Sequence, residues 1–469
     1  MNCLGVDFGT TSVKGVLFDE KLNELASLKI DYSLNVSGNR VELEAEKYPE
    51  MLFEILDKMS ACHKIDCLAI DTQCETMILA DEEGNPLRDA IVWLDNRAEK
   101  EAELIDKKFG RKKVYEITGQ PEITATWPAS KLLWVRENEP EVFAKTKKIF
   151  LLEDYLLFKL TGKFVTEKTL QSSSLYLDIN KGDWWDEMLD FTGITREMLP
   201  KLEDSGVLAG EYKGIKVVTS AMDQGAGAIA AGVTGKGKIS EMTGTTMAIY
   251  FPTDAVPEFD ENSIIPCHLS YDGSYVLLSW SPTAGMALKW FRESFLKDKS
   301  FAQIDEMAEK IEPGCNGLVF LPYLCGSTMP KYNPDARGSF TGLTPEHTSA
   351  HFARSIMEAV SFMLKGNLEY MNIPVDEIRV MGGGALSDLW CSMKADITGK
   401  NIVTLKNKET ACLGSAILAG VGSGVFESVE DGCKNIGTDK TYKPTGRDYT
   451  KAYEEFMKYD SILNIRKGE

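Results

Sequence analysis

Two stretches half a chain apart repeat one plan, and a chain that carries it twice has few ways to fold. Gly5-Val6-Asp7-Phe8-Gly9-Thr10-Thr11-Ser12-Val13 reads as a strand, a Gly-Thr-Thr turn and a second strand. Ile239-Ser240-Glu241-Met242-Thr243-Gly244-Thr245-Thr246-Met247 reads the same way. The interval is far too long for a stacked repeat, so the pattern predicts duplication of one domain type. Two hairpins alike by chance are the alternative until other motifs are counted. Around the first copy the spacing predicts strands over 3–7, 13–18, 25–34 and 67–71. It also predicts an amphipathic helix over 47–62 with Tyr48, Met51, Leu52, Ile55, Leu56 and Met59 on its inner stripe. Strands and helices recurring in this way indicate α/β layering. The glycine-dense run 232–238 marks a boundary, giving domains 1–235 and 236–469. Beyond it, helices are predicted over 351–368, with Phe352, Ile356, Val360, Met363 and Leu364 on one stripe, and over 386–397. A C-terminal helix carries Tyr449, Tyr453, Phe456 and Tyr459 as docking residues.

Composition narrows the partners. With 52 Lys+Arg against 71 Asp+Glu, the net charge is -19. That argues against nucleic acid, whose binding leans on basic contacts to phosphates. It leaves room for a nucleotide, because a single triphosphate can be held by backbone N–H groups and Mg²⁺. The 10 cysteines are scattered without a C-x-x-C pair, as expected of reduced thiols, and the 4 histidines form no H-E-x-x-H zinc motif. No basic leader and no apolar run of about 18 residues is present, so the expectation is a cytoplasmic protein without membrane spans.

Three glycine-rich turns carry the chemistry. Asp7-Phe8-Gly9-Thr10-Thr11-Ser12 sets a carboxylate at a strand end before a tight turn. Glycine lets the backbone approach an anion, the hydroxyls and N–H groups can cradle phosphate, and the carboxylate can hold Mg²⁺ through water. An ordinary hairpin turn is the alternative for this loop alone. Thr243-Gly244-Thr245-Thr246 is its counterpart. The third, Val380-Met381-Gly382-Gly383-Gly384-Ala385, runs from a strand toward a helix and suits close approach to a nucleotide. It is not a dinucleotide fingerprint, since Ser387 stands where the last glycine is needed. Gly232-x4-Gly237-Lys238 nearly matches a P-loop, but Ile239 replaces the required Ser or Thr.

In this order the turns resemble the actin, hexokinase and heat-shock ATPase superfamily. Over essentially the whole chain the sequence resembles the FGGY carbohydrate kinases. Trp127-Pro128-Ala129-Ser130-Lys131-Leu132-Leu133-Trp134-Val135-Arg136-Glu137-Asn138 fits one family signature, with Thr126 departing at its first position. Gly338-Ser339-Phe340-Thr341-Gly342-Leu343, continuing to Ile356-Met357-Glu358, fits the other. The resemblance implies two ribonuclease-H-like α/β domains with an interdomain cleft, the first holding the sugar and the second ATP. It implies ATP and Mg²⁺ as cofactors, and leaves a homodimer open.

The same resemblance suggests site residues. Asp223, in Ser220-Ala221-Met222-Asp223-Gln224-Gly225, would be the base that accepts a hydroxyl proton; a helix cap is its alternative role. Asp7 would organise Mg²⁺, with Asp223 also reaching it through water. Gly9, Thr10, Thr11, Ser12, Lys14, Gly244, Thr245 and Thr246 would line the phosphates, and Gly383, Gly384 and Ala385 the nucleotide. Gln73, Cys74, Glu75, Trp93, Asp223 and Gln224 would meet the acceptor. From the residues alone Trp93 reads first as a core aromatic; the resemblance places it against the acceptor's carbon face. Glu75 and Gln224 are glycerol-kinase-like, but Cys74 stands where those enzymes carry arginine, and Leu151-Leu152-Glu153-Asp154-Tyr155-Leu156 is xylulokinase-like. The expected acceptor is a ketopentose such as xylulose, with a polyol as the alternative. A silent sugar-binding member, or an ATPase whose output is motion, are the rival readings.

Overall fold

The computed structural model describes residues 1–328 and 332–464. Its two main sheets share one plan. In the first, β1 (Cys3–Phe8), β2 (Ser12–Phe18) and β3 (Glu24–Asp31) form an antiparallel meander. On its other edge β1 pairs in parallel with β4 (Cys67–Thr72), which pairs in parallel with β6 (Ile215–Val218), flanked by β5 (Leu208–Tyr212). The order is β5-β6-β4-β1-β2-β3. The second sheet repeats this with β7 (Gly237–Thr243), β8 (Met247–Thr253), β9 (Cys267–Leu269) and β10 (Tyr275–Ser281) as the antiparallel part. Then β11 (Val375–Met381) and β12 (Asn401–Leu405) run parallel to β7, and β13 (Thr438–Tyr442) closes the edge. This is the two-domain α/β architecture expected from the repeated hairpin.

Local boundaries follow side-chain chemistry. Helix α1 (Lys47–Ser60) buries the predicted stripe of Tyr48, Met51, Leu52, Ile55, Leu56 and Met59 against the first sheet. The third strand ends at Asp31, short of the predicted 34. Tyr32 leaves the ladder there because its N–H bonds Thr11 O and its hydroxyl donates to Gly9 O, turning the ring over the first Gly-Thr-Thr loop. The chain then joins a separate sheet of five short strands, which includes Met77–Ala80, Ala90–Ile91 and Lys148–Leu151.

In the second half, helix α3 (Ser349–Met371) is buried nearly all round over 353–364 rather than on one stripe. The charges that this buries satisfy each other: Arg354 Nε donates to Glu358 Oε1 at 2.8 Å, as a buried pair requires. Tyr449, Tyr453 and Phe456 dock the C-terminal helix on Phe362. No helix among the described residues is long and apolar enough to cross a membrane.

Two helices knit the sheets together. No strand of the first sheet lies beyond 218 and none of the second before 237. Helix α2 (Asp223–Ala230) follows β6, yet its Ala228 packs with Tyr250, Val276 and Met381 of the second sheet. Helix α5 (Thr410–Ser423), from the other half of the sequence, lies on β1 and β4 of the first sheet. A Cβ on Gly5 would stand 1.7 Å from Cys412 O, and one on Gly414 would stand 1.8 Å from Ala226 O. The backbones therefore touch at the β1–α5–α2 crossing, and no side chain fits between them. Gly414→Ala should lower unfolding free energy by about 3 kcal/mol or more. Gly235→Ala, where a Cβ meets nothing within 4 Å, should cost about 0.5 kcal/mol or less. Urea denaturation of both variants checks this.

Candidate active site

The strand ends beside the helical seam gather carboxyl groups. Asp7 and Asp71 are register partners on parallel strands β1 and β4. Asp223 is the first residue of α2, half-buried, its Oδ1 accepting the N–H of Gln224 at 2.7 Å and facing Cys74 Sγ at 3.7 Å. Its own side chain thus satisfies a helix-terminal N–H, so the capping alternative holds in part, and Oδ2 is left for other work. Ser415 of α5 donates to Asp71 Oδ2 at 2.6 Å and shares a 2.7 Å contact with Ser220. Asp71 Oδ1 is buried with no amide or hydroxyl partner, and the Asp71 carboxyl faces that of Asp7, with which it can share a proton.

This crowding shows in the ionisation. Burial, then repulsion from Asp223, pushes Asp7 up to about 7. Burial, then the Asp7 charge, holds Asp71 well above the usual carboxylate range, and burial raises Asp223. Glu75 is pushed up to about 7 by burial, against the pull of Lys131. Lys131 is fully buried and driven down to about 7. Its Nζ donates to Glu75 O at 3.2 Å and Val92 O at 3.0 Å, so it fastens the backbone at Glu75 to that at Val92.

The segment before Asp223 is pinned from behind. Ser220 N–H bonds Glu153 Oε1 at 3.0 Å, and Met222 N–H bonds Thr169 Oγ1 at 2.9 Å. Thr169 in turn donates to Glu167 at 2.8 Å. These bonds fix the direction in which the first turn of α2 presents its carboxylate.

The predicted residues fall into two groups. In the first, Trp93 Nε1 donates to Thr10 Oγ1 at 3.0 Å, which joins the segment at 93 to the first Gly-Thr-Thr loop. Gln73 takes its N–H to Phe8 O at 2.9 Å and its Nε2 to the hydroxyls of Tyr32 and Tyr48, both at 3.3 Å, leaving Oε1 buried without a partner. Lys14 is ion-paired with Glu409. Gly9, Thr10 and Ser12 are half-buried and Thr11 exposed, and Gln224 is half-buried beside Asp223.

The second group centres on Thr243. Gly244 N–H bonds Thr246 O at 2.9 Å, closing the loop, while Thr245 stands exposed. A Cβ on Gly382 would meet Thr243 O at 2.8 Å, and one on Gly384 would meet Thr243 Cβ at 2.7 Å. Gly384 is therefore glycine because of Thr243, while Gly382 and Gly383 are exposed. The predicted helix from 386 is instead a 3₁₀ turn, Gly383–Leu386, followed by α4 (Asp388–Thr398), because Ser387 Oγ accepts Trp390 N–H at 3.0 Å and caps there. Ala385 is buried in the turn.

Asp71, Ser415, Tyr32, Glu153 and Lys394 were not singled out as site residues from the sequence. For Asp71 a signal was present: it occupies on β4 the strand-end place that Asp7 occupies on β1.

Comparison with known proteins assigns the family. Residues 2–234 match the N-terminal domain model, and 268–423 the C-terminal domain model, of the FGGY family of carbohydrate kinases. The chain belongs to this family. It is therefore a carbohydrate kinase, a phosphotransferase with an alcohol acceptor, and ATP is the implied phosphoryl donor. The kinase is similar to the xylulose kinase of Bacillus subtilis strain 168, 29% identical over 486 residues, covering 99% of this chain and 96% of that one. The gluconokinase of the same strain is 30% identical over 486 residues, covering 97% and 94%. The structure of a ligand-bound xylulose kinase from Lactobacillus acidophilus superposes with a TM-score of 0.89 at 26% identity, covering 98% of both chains.

The raised carboxyls make the kinase's stability fall as pH rises. A carboxyl that ionises near 4 when unfolded but at about 7 when folded leaves the native state holding more protons between those values. Stability from this group is complete below the unfolded value and is lost through the folded one. Metal-free protein should lose about 1–2 °C of melting temperature between pH 6 and 8 through this group. Asp7→Asn should flatten that slope, as read by calorimetry in chelator.

Proposed function

We propose that this kinase transfers the γ-phosphoryl group of ATP to a hydroxyl of a small uncharged sugar, a ketopentose such as xylulose, with Asp223 as the base. The observation that carries this is the acid cluster: Asp223 lies beside Cys74 and within electrostatic reach of Asp7, Asp71 and Glu75. As the acceptor oxygen forms its bond to phosphorus, the bond to ADP breaks and the hydroxyl proton passes to the Asp223 carboxylate. A carboxylate raised by burial is a better proton acceptor than one in water. Gln73, Glu75, Trp93 and Gln224 orient the acceptor. The Gly9–Ser12 and Gly244–Thr246 loops hold the phosphates, and Gly383 with its neighbours meets the nucleotide.

The residues fit Mg²⁺. Asp71 Oδ1 is a buried acceptor with no amide or hydroxyl partner, and adjacent carboxyls held partly protonated gain by facing a dication. Among the described residues no three acidic, His or Cys side chains form a ready metal cage, which suits an ion that keeps several waters. Asp7 and Asp71, with Asp223 through water, are the residues to hold it. Bound Mg²⁺ supplies charge neutralisation at the phosphate oxygens.

Electrostatics separates the candidate acceptors. An aldonate carries a negative charge into a site whose lysines are already committed: Lys131 to two carbonyls and Lys14 to Glu409. A neutral sugar escapes that repulsion. A polyol is the second reading, favoured by the Glu75 and Gln224 pair. ADP release should be measured over xylulose, ribulose, glycerol, a tetritol and gluconate. Xylulose should give the highest kcat/KM and gluconate the lowest; a preference for gluconate overturns the electrostatic argument. Asp223→Asn should lower kcat by about 10²–10⁴-fold while ADP still binds by calorimetry. Near-normal turnover would remove Asp223 as the base.

A further inference from the structure

A complete ion pair lies beneath the second Gly-Thr-Thr loop. Lys394 of α4 and Glu241 of β7 are both fully buried, with Nζ 2.5 Å from Oε2. Lys394 Nζ also donates to Thr243 Oγ1 at 2.8 Å, and the Thr243 hydroxyl donates to the other oxygen of Glu241. The three groups close a triangle one residue before Gly244. Lys394 further sits over the Trp390 ring at 5.7 Å, and Trp390 Nε1 donates to Met357 O at 3.0 Å, which ties α4 to α3.

The fold itself does not ask for this charge. Counting back from Gly9 as Glu241 is counted back from Gly244, the matching residue of the first hairpin is Val6, buried and apolar. A buried ion pair is a poor device for stability, since apolar residues of similar volume often serve as well or better. What it supplies is direction. Two hydrogen bonds fix the Thr243 side chain in one rotamer, and the Gly382–Gly384 turn packs on that side chain and on Thr243 O. The pair is also neutral in sum, so it adds little attraction for an anion.

We propose that Lys394 is a positioning residue for the nucleotide. Through Glu241 and Thr243 it holds the Gly244–Thr246 loop and the Gly382–Ala385 turn as one rigid surface. This rests on the reading above that these two segments form the nucleotide site.

Three variants test it: Lys394→Met, the double variant Glu241→Leu with Lys394→Met, and Thr243→Val, which keeps the branched shape but loses the hydroxyl. Measured are the melting temperature, ADP binding by calorimetry, and KM for ATP and for the sugar separately. Lys394→Met should lose both stability and ADP affinity, because it strands a buried carboxylate. The double variant should regain the melting temperature, yet keep a Kd for ADP and a KM for ATP raised about tenfold, with the KM for sugar unchanged. Thr243→Val should show the same selective loss. If the double variant recovers ADP affinity along with stability, or if Thr243→Val binds ADP as the wild type does, the trio is structural only and the inference falls. If the wild type does not bind ADP at all, the site reading beneath it falls, and this inference with it.

Discussion

The close passage of helices 223–230 and 410–423 is the contact on which the rest depends. Gly5, Gly414 and the carbonyls of Cys412 and Ala226 approach so nearly that no Cβ fits between them. Each helix follows a strand of one half and packs on the sheet of the other. The seam is therefore shared, and any movement of one sheet against the other must pass through it. It also places Asp223 at the start of one helix and Ser415, which holds Asp71, on the other. The acid cluster and the junction of the halves are built from the same two helices.

That location explains why the acid cluster is tolerated. Carboxyl groups at neighbouring strand ends repel, and burial makes each charge costlier. The chain answers with Ser415 on Asp71, the Gln224 N–H on Asp223 and a paired Lys14 near Asp7, which together relieve only part of the cost. The remainder is an electrostatic demand for positive charge, which a dication would meet. Such incomplete satisfaction is typical of sites that trade stability for binding. The buried Lys394 and Glu241 pair is the opposite case: both charges are matched and neither reaches solvent, so it shapes the wall instead of attracting a ligand.

Much of the molecule was legible from residue pattern. The repeated hairpins announced two sheets of one plan, and the stripe from Tyr48 to Met59 announced the helix that covers the first. The two Gly-Thr-Thr hairpin turns were legible because short turns need glycine, and the carboxyls of Asp7 and Asp223, picked out along the chain, do come into one field. Less legible was the helix 349–371, read as one-sided but enclosed by neighbours, and the room at Gly384, where a Cβ would meet the Thr243 side chain. A glycine in sequence does not say which atom needs the room.

The sequence by itself determined the family, the doubled α/β plan and the residue types at the loops, because these depend on period, turn chemistry and spacing along one chain. Only the tertiary structure decided which carboxylates share a field and which cations are already spent. It alone showed that Lys131 fastens backbone, and that Lys394 and Glu241 meet across 153 residues of chain. Electrostatic energy depends on distance through space and on burial, and neither is written in the order of the residues.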